Sequence, residues 1–538
     1  MCYLFPAIIH RLDSYMISLD LTRSLHLPCI TPALALEAVT KDSDNTDEHR
    51  LAQLSFQRGM GHNYERLEFI GDCFLKLATT ISLYVNVPDH AEFEYHVRRM
   101  CMICNENLFK VAKDLNVPEF VRSQGFNRRR WYPAGMKLLK GKGAGKDEDG
   151  MTHGLGDKTV ADVCEAIIGA ALVSGREKAD FDSAVRAVTT FVKNPDHSFD
   201  SFSEYFSAYK RPDYVNHDSS ASILDLAEQI YSVHPYRFKY PRLLRSAFTH
   251  PSMPTSLEKI PNYQRLEFLG DALLDLCIVN YLYHDPRFAN RDPQWLTEHK
   301  MAMVSNRFFS ALAVQLGFHR HLRYMGAVIE GQNRTYVQAL KEAESEAKLQ
   351  AERAGAGMEK SWMNYWNSVS AAPKCLSDLI ESYVGAIFVD SEFSMAVVES
   401  FFEMHIKPWF LDMSLYDTYA SGNPITLVTT NLANTYGCEN FRILMKEIPA
   451  SPYSVRDGKV EDVGAKCVVA IMVHETVLAK GMGNTGGRYA KERACKQGLK
   501  ALAEMTDGMD EGPERIMIFR QKYGCDCRKG ETMLAAAG

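Results

Sequence analysis

No stretch of about 18 uncharged apolar residues, the length a membrane-spanning helix requires, occurs anywhere in the 538-residue chain. The opening MCYLFPAIIHRLDSYM has only a short apolar run before His10, Arg11 and Asp13, which is not the pattern of a secretory leader. A membrane partner and secretion are therefore not expected. Excess positive charge is missing too: 61 Lys plus Arg stand against 67 Asp plus Glu, a formal net charge of −6, so any surface for a polyanion must be local. Glycine (34) and proline (21) are close to average usage, which excludes collagen-like and low-complexity chains. The 13 cysteines are odd in number and lack the dense framework of a disulfide-stapled domain. They suit a reducing compartment, cytosol or nucleus, as core filler or metal ligands.

What is present is globular composition, 46% hydrophobic and 24% charged, with length enough for three or four folded units at roughly 150 residues each. The strongest internal signal is a repeat. Asn63 to Asp72 (NYERLEFIGD) and Asn262 to Asp271 (NYQRLEFLGD) share eight of ten residues at a separation of 199. A separation of that size is a whole duplicated domain, not a solenoid repeat. Further on, Lys158, Asp162, Glu165, Gly169 and Ala170 recur in register as Lys374, Asp378, Glu381, Gly385 and Ala386. The spacing from Asp72 to Asp162 is 90 and from Asp271 to Asp378 is 107, so the copies carry different insertions. Lys140 to Gly150 reads as a Gly-rich charged loop, and Val337 to Arg353 as an exposed helix.

Helical apolar spacing dominates both copies, as in Leu224, Ala227, Ile230 and Tyr231. After about Ser414 to Pro424 the pattern changes. A helix over Ile425 to Tyr436 is followed by three short strands, Arg442 to Met445, Lys466 to Val473 and Glu475 to Lys480, and by a helix over Arg488 to Met505. The order is αβββα, and Gly508 to Gly538 reads as a tail. The fold class expected is mainly α.

Glu68 and Asp72 are four apart and Asp162 and Glu165 three apart, so each pair shares one helix face. A lone carboxylate pair at such spacing is most often a solvated face. These acids, however, sit inside apolar runs such as Leu67-Glu68-Phe69-Ile70, where an uncompensated charge is costly, and the whole set recurs as Glu267, Asp271, Asp378 and Glu381. If two helices cross so that the pairs meet, four carboxylates crowd one site and need divalent cations, Mg²⁺ or Mn²⁺, between them. Such ions activate water and stabilise a leaving oxygen in phosphodiester hydrolysis.

ERLEFIGD and QRLEFLGD resemble the signature of ribonuclease III domains, and DKTVADVCEA and KCLSDLIES resemble the second acidic motif of that family. The tandem pair resembles Dicer. Phe248 to Ser252 (FTHPS) matches the motif that opens such domains, where the first copy has only Leu36 to Thr40. His10-Arg11, Tyr15 to Ile17 and Phe126 to Pro133 resemble the fungal branch. The resemblance spans about residues 1 to 530. It implies cleavage of double-stranded RNA by two domains, at 22–215 and 222–412 after a connector at 1–21, paired as an intramolecular pseudo-dimer in a monomer. Each domain would cut one strand, leaving short 3′ overhangs. It further implies that Glu68, Asp72, Asp162 and Glu165 hold metal in one centre and Glu267, Asp271, Asp378 and Glu381 in the other. Glu65 matches an additional family acid whose counterpart here is Gln264, so that position cannot be required for metal in both centres. Lys158 and Lys374 match a lysine near the site, for which phosphate contact and a plain surface role both stand.

The αβββα segment, 423–505, resembles a double-stranded-RNA-binding domain, which reads duplex shape through the minor groove and phosphates. In the family a lysine cluster opens the last helix; here Arg488, Lys491 and Arg493 are the candidates, with Glu492 and Cys495 interrupting them. With 11 Lys/Arg against 8 Asp/Glu over 423–505, duplex binding should be weak and salt-sensitive, and a scaffold role stands beside it. In the tail at 506–538, Cys525 and Cys527 are too close for a comfortable disulfide, but a C-x-C pair suits a structural Zn²⁺. Cys438 and His474, each at a strand boundary, are candidates for the remaining ligands, and Cys467 competes. The Cys438, His474, Cys525 and Cys527 set also resembles a zinc site of fungal Dicers.

A rival reading is a non-catalytic RNA-binding scaffold, against which the intact acids of both copies argue. A ribosomal-type or RNA-maturation partner protein would not need two catalytic copies. No segment resembles the helicase region or the end-binding measuring module of full-length Dicers, so the chain reads as a C-terminal portion: a fragment, a truncated gene product or a natural short form. Without the measuring module, products of irregular length are expected.

Overall fold

A computed structural model describes residues 4–41, 62–88, 92–123, 154–176, 180–254, 256, 259–354, 361–369, 372–417, 419, 424–448, 451–456, 459–463, 466–483, 487–505 and 513–527. The expected loop at 140–150 and the segment 126–133 lie outside these. The chain forms two compact units, Met1–Asp412 and Met413–Gly538. No helix among the described residues is long and apolar enough to cross a membrane.

The first unit is helical and holds both copies of the repeat. Four helices position its chemistry: α1 (Glu65–Asn86), α2 (Asp157–Arg176), α3 (Gln264–His284) and α4 (Lys374–Asp390). In α1 the apolar residues Leu67, Ile70, Phe74, Leu77 and Ile81 recur at helical spacing and are buried. α3 and α4 are buried on nearly every side from Leu266 to Leu282 and from Cys375 to Asp390, as core helices of a large domain are. α1 packs on α2, α3 packs on α4, and α1 packs on α3, which joins the two copies. The second insertion is the expected exposed helix, Ala327–Ala354.

Glycine sets how close these pairs come. A Cβ at Gly71 would lie 1.8 Å from the carbonyl oxygen of Glu165, and one at Gly169 would lie 2.1 Å from that of Leu67. The second copy repeats the contact, with 1.7 Å from Gly270 to Glu381 and 2.3 Å from Gly385 to Leu266. Backbone therefore touches backbone where the helices cross, and each contact falls at an acid, Glu165 or Glu381, or at the residue before one, Leu67 or Leu266.

The joint between the copies is pseudo-symmetric. Arg66 of α1 donates to the carbonyl oxygens of Tyr283 at 3.3 Å and Arg291 at 2.6 Å and lies over the Tyr283 ring. Its counterpart Arg265 donates to the carbonyl oxygen of Tyr84 at 3.2 Å and lies over the Tyr84 ring. Arg99 covers the Phe268 ring as Lys300 covers that of Phe69. Each copy thus gives equivalent residues, identical at Arg66 and Arg265 and of like charge at Arg99 and Lys300, to the same places on the other, as in an isologous interface.

The second unit begins with the helix Pro424–Thr430, continued to Thr435, followed by β1 (Phe441–Ile448), β2 (Ser451–Arg456), β3 (Lys459–Val463), β4 (Lys466–Val473), β5 (Thr476–Gly483), α5 (Gly487–Met505) and α6 (Pro513–Tyr523). The three strands expected from the sequence are β1, β4 and β5, an antiparallel sheet in the order β1-β4-β5. Two features were not expected. β2 and β3 form a separate hairpin within the link from β1 to β4; their mixed polar sequence, SPYSVR and KVEDV, lacks the apolar alternation that marks a half-buried strand. The tail carries α6, whose Phe519 is fully buried and stacks on Tyr436 with ring centroids 4.5 Å apart. Val428, Leu432, Val469, Ile471, Ala490 and Ala494 complete this core.

A methyl group at the helix crossing has nowhere to go. Gly71→Ala is expected to destabilise the first unit by about 2–3 kcal/mol, the cost of overpacking, while Gly331→Ala, in the exposed helix Ala327–Ala354 where an added Cβ meets nothing within 4 Å, serves as a control away from the crossing. Urea unfolding of both variants checks this, with the loss expected in Gly71→Ala and its second-copy equivalent Gly270→Ala alike.

Candidate active site and metal centres

Each helix crossing carries acids from both of its helices. Glu68 of α1 meets Asp162 and Glu165 of α2 with one ligand oxygen from each within 4.8 Å of the others; Glu267 of α3 meets Asp378 and Glu381 of α4 in the same way. Five of the six are buried, Glu68 being half-buried. Crowding like charges in a desolvated place favours the protonated forms. Burial, followed by the neighbouring acids, pushes Glu68 up to about 7 and Glu165 up to about 9. Glu267 is likewise pushed up to about 7, and burial, with Asp271, Asp378 and Glu267 beside it, raises Glu381 well above the carboxylate range.

Asp72 and Asp271 stand apart from the two closest sets. They remain within electrostatic reach of Glu165 and Glu381 respectively, but Asp271 is ion-paired with Lys76 of the other copy at 2.9 Å. The reason is electrostatic: with three carboxylates already in contact, the fourth is better placed near an ammonium group than among them. A divalent cation would reverse that preference.

Lys158 and Lys374 are more intimate with the acids than either sequence reading anticipated. Lys158 donates to both oxygens of Asp162 at 2.8 Å, and Lys374 donates to Glu267 at 2.6 Å and pairs with Asp378 at 3.1 Å. Among the described residues, each is the ammonium group paired inside its set of three closest carboxylates. Closely spaced carboxylate oxygens, whose burial and mutual repulsion leave a deficit of positive charge, are the donor set that Mg²⁺ or Mn²⁺ prefers once it displaces their protons.

Two contributions escaped the reading of motifs. The Tyr263 hydroxyl donates to Asp378 at 3.0 Å, holding that carboxylate from the turn before α3; the duplicated Asn-Tyr that precedes each acidic motif was the available signal. Glu92 and His96, on the first copy's helix Glu92–Ile103, line the cleft of the second centre beside Glu267, Asp271 and Lys374. Gln264 donates to Glu92, so this position of the second copy binds a residue of the first. Nothing in the spacing of the motifs signals a contact between copies.

In the second unit Cys438, His474, Cys525 and Cys527 offer ligand atoms within 4.8 Å of one another. Cys438 precedes β1 and His474 forms the two-residue turn between β4 and β5 with a left-handed φ of 49°. α6 carries the C-x-C back to them, placing the Cys527 sulfur 3.5 Å from His474 Nε2 and accepting the Glu439 backbone N–H at 3.3 Å. Burial pushes the Cys438 thiol up to about 12, whereas at Cys527 backbone N–H groups outweigh burial and hold the thiol below its ordinary value. Three sulfurs and one imidazole within a tetrahedron's reach are a donor set that fits Zn²⁺. Cys467 lies instead in β4, buried in the core and paired with Gly483.

Of the candidate RNA contacts, Arg493 is exposed on α5 and donates to the Met482 carbonyl oxygen at 3.5 Å, Lys491 is half-buried, and the Arg488 side chain lies outside the described residues.

Residues 65–176 and 264–392 match the family Ribonuclease III domain, and residues 416–504 match the family dsRNA binding domain. Dicer-like protein 1 of Aspergillus niger is 48% identical over 529 residues, which are 98% of this chain and 32% of that protein. Dicer-like protein 1 of Neurospora crassa is 45% identical over 548 residues, 99% of this chain and 34% of that protein. The chain spans about a third of the length of these curated relatives. Among solved structures, Dicer from Giardia intestinalis is similar over 64% of this chain and 55% of that chain, with 14% identity and a TM-score of 0.33.

Carboxyl groups raised from the ordinary 4.5 to about 7 and about 9 hold protons in the folded state that the unfolded chain has released. The stability they give is complete below about 4.5 and is lost as pH rises through their folded values. In metal-free buffer the unfolding midpoint of the first unit is therefore expected to fall from pH 5.5 to pH 9. Added Mg²⁺ should restore more of it at pH 8 than at pH 5.5, where protons compete; calorimetry at the two pH values checks both signs.

Proposed function

Through its two ribonuclease III domains the chain belongs to the ribonuclease III family, and from that premise we propose that it is a divalent-metal-dependent endoribonuclease. It cuts double-stranded RNA into small RNAs with short 3′ overhangs, one centre per strand. The observation that carries this reading is the duplicated convergence of Glu68, Asp162 and Glu165 and of Glu267, Asp378 and Glu381, each from two crossing helices. A non-catalytic scaffold has no use for buried acids held at this cost twice over.

Glu68, Asp72, Asp162 and Glu165 hold the metal of the first centre, and Glu267, Asp271, Asp378 and Glu381 that of the second. Mg²⁺ or Mn²⁺, when bound, supplies an activated water and stabilises the leaving oxygen of the phosphodiester. Lys158 and Lys374, which now pair with these acids, would be placed to donate to a phosphate once a cation held the carboxylates. The Tyr263 hydroxyl keeps Asp378 aimed into the cleft. The dsRNA binding domain adds duplex affinity through Arg488, Lys491 and Arg493, and Cys438, His474, Cys525 and Cys527 hold a structural Zn²⁺ that fastens α6 to the sheet.

Glu165→Gln and Glu381→Gln separate the two cuts. On a duplex labelled separately in each strand, with Mg²⁺, each variant should lose cleavage of one strand by at least about 100-fold, since outer-shell partners alone are worth 10–100-fold. The double variant should cut neither. Loss of both cuts in either single variant, or of neither, refutes one centre per strand. For the zinc set, one equivalent per chain is expected by elemental analysis, and Cys527→Ser should release it and lower the midpoint of the second unit alone.

A further inference from the structure

A residue that touches its own counterpart in a duplicated structure lies on the axis relating the copies. Lys76 of α1 and Asp275 of α3 are such a pair, 199 positions apart like the acids of the motifs, with Lys76 Nζ at 3.1 Å from Asp275 Oδ2. Asp275 is 7% exposed and Lys76 22%, so the contact is largely withdrawn from water.

The neighbours of this pair are duplicated as well. Lys76 also pairs with Asp271 at 2.9 Å, the counterpart of Asp72, and Asp275 also pairs with Lys300 at 2.9 Å, the counterpart of Arg99. Burial drives the Asp275 carboxyl up, yet Lys76 and Lys300 outweigh it and hold it below its ordinary value. Asp72 feels Lys300, Lys76 and Arg99 together. Three cations thus face three carboxylates. Sign is kept between counterparts at Asp72 and Asp271 and at Arg99 and Lys300; it is reversed only at the axial position. Two first domains joined in this geometry would bring together four cations and two carboxylates, and two second domains the opposite.

We propose that the axial pair Lys76–Asp275 selects the partner: it directs the two ribonuclease III domains of one chain to pair with each other and excludes a second copy of this chain from pairing through like domains. Like charge at a desolvated self-facing position is an effective bar to a wrong partner, and opposite charge there admits only the unlike one. The role is one of assembly and does not depend on RNA cleavage.

Sedimentation of the 538-residue chain tests it, using Lys76→Asp, Asp275→Lys and the double variant in metal-free buffer. Wild type and the double variant should sediment as one 60.8 kDa chain. The double variant is benign because the neighbours are duplicated: a lysine at position 275 meets Asp72 as Lys76 meets Asp271, and an aspartate at position 76 meets Arg99. Each single variant places like charges on the axis and should unfold at a lower temperature. Mixed in equal amounts, the two single variants supply each other with the missing opposite charge and should form a species of twice the mass. Should either single variant not fold alone, refolding the two together gives the same readout. Recovery of the double-mass species supports the proposal. A mixture that stays at one-chain mass, or a double variant as unstable as the singles, overturns it.

Discussion

Everything chemical in the first unit depends on two places where helix backbones touch. At Gly71 and Gly169, and again at Gly270 and Gly385, side-chain atoms are absent where they would stand near 2 Å from a carbonyl oxygen. The crossing this permits is close enough for acids one turn away on both helices to share a site. With any larger residue the helices separate, and Glu68 no longer reaches Asp162 and Glu165. The carboxylates are thus positioned by backbone contacts in which their side chains take no part.

That closeness carries an electrostatic cost, and the surroundings answer it with positive charge. Lys158 and Lys374 enter the carboxylate sets, while Lys76 and Lys300 draw charge towards the joint between the copies. α1 and α3 therefore serve two purposes with two faces. One face supplies acids to a centre, and the other supplies the arginines, lysine and aspartate that hold the copies together. The second centre also receives Glu92 and His96 from the first copy, so the two domains are not independent modules.

The second unit solves a different problem. Its three-stranded sheet is small, and the apolar core between sheet, α5 and the helix at Pro424–Thr430 is extended by α6, which buries Phe519 against Tyr436. The same helix delivers Cys525 and Cys527 to Cys438 and His474. Core packing and a metal-ligand set thereby act on one segment, as in small domains whose apolar burial alone is modest.

Much of this was legible in the residues themselves. The duplication, the helical class, the acids at three- and four-residue spacing and the three sheet strands are local patterns, and local patterns survive in a linear sequence. The hairpin β2–β3 was not legible because its strands lack alternation, and α6 was hidden because its apolar residues Ile516 to Phe519 run consecutively instead of recurring at helical spacing. What only the tertiary structure decided are relations between distant residues: that glycines make the crossing possible, that Lys158 and Lys374 sit among the acids, that Asp271 turns to Lys76, and that Lys76 meets its own counterpart Asp275. A sequence states which charges exist, but their energies depend on separation and burial, and both are set by packing.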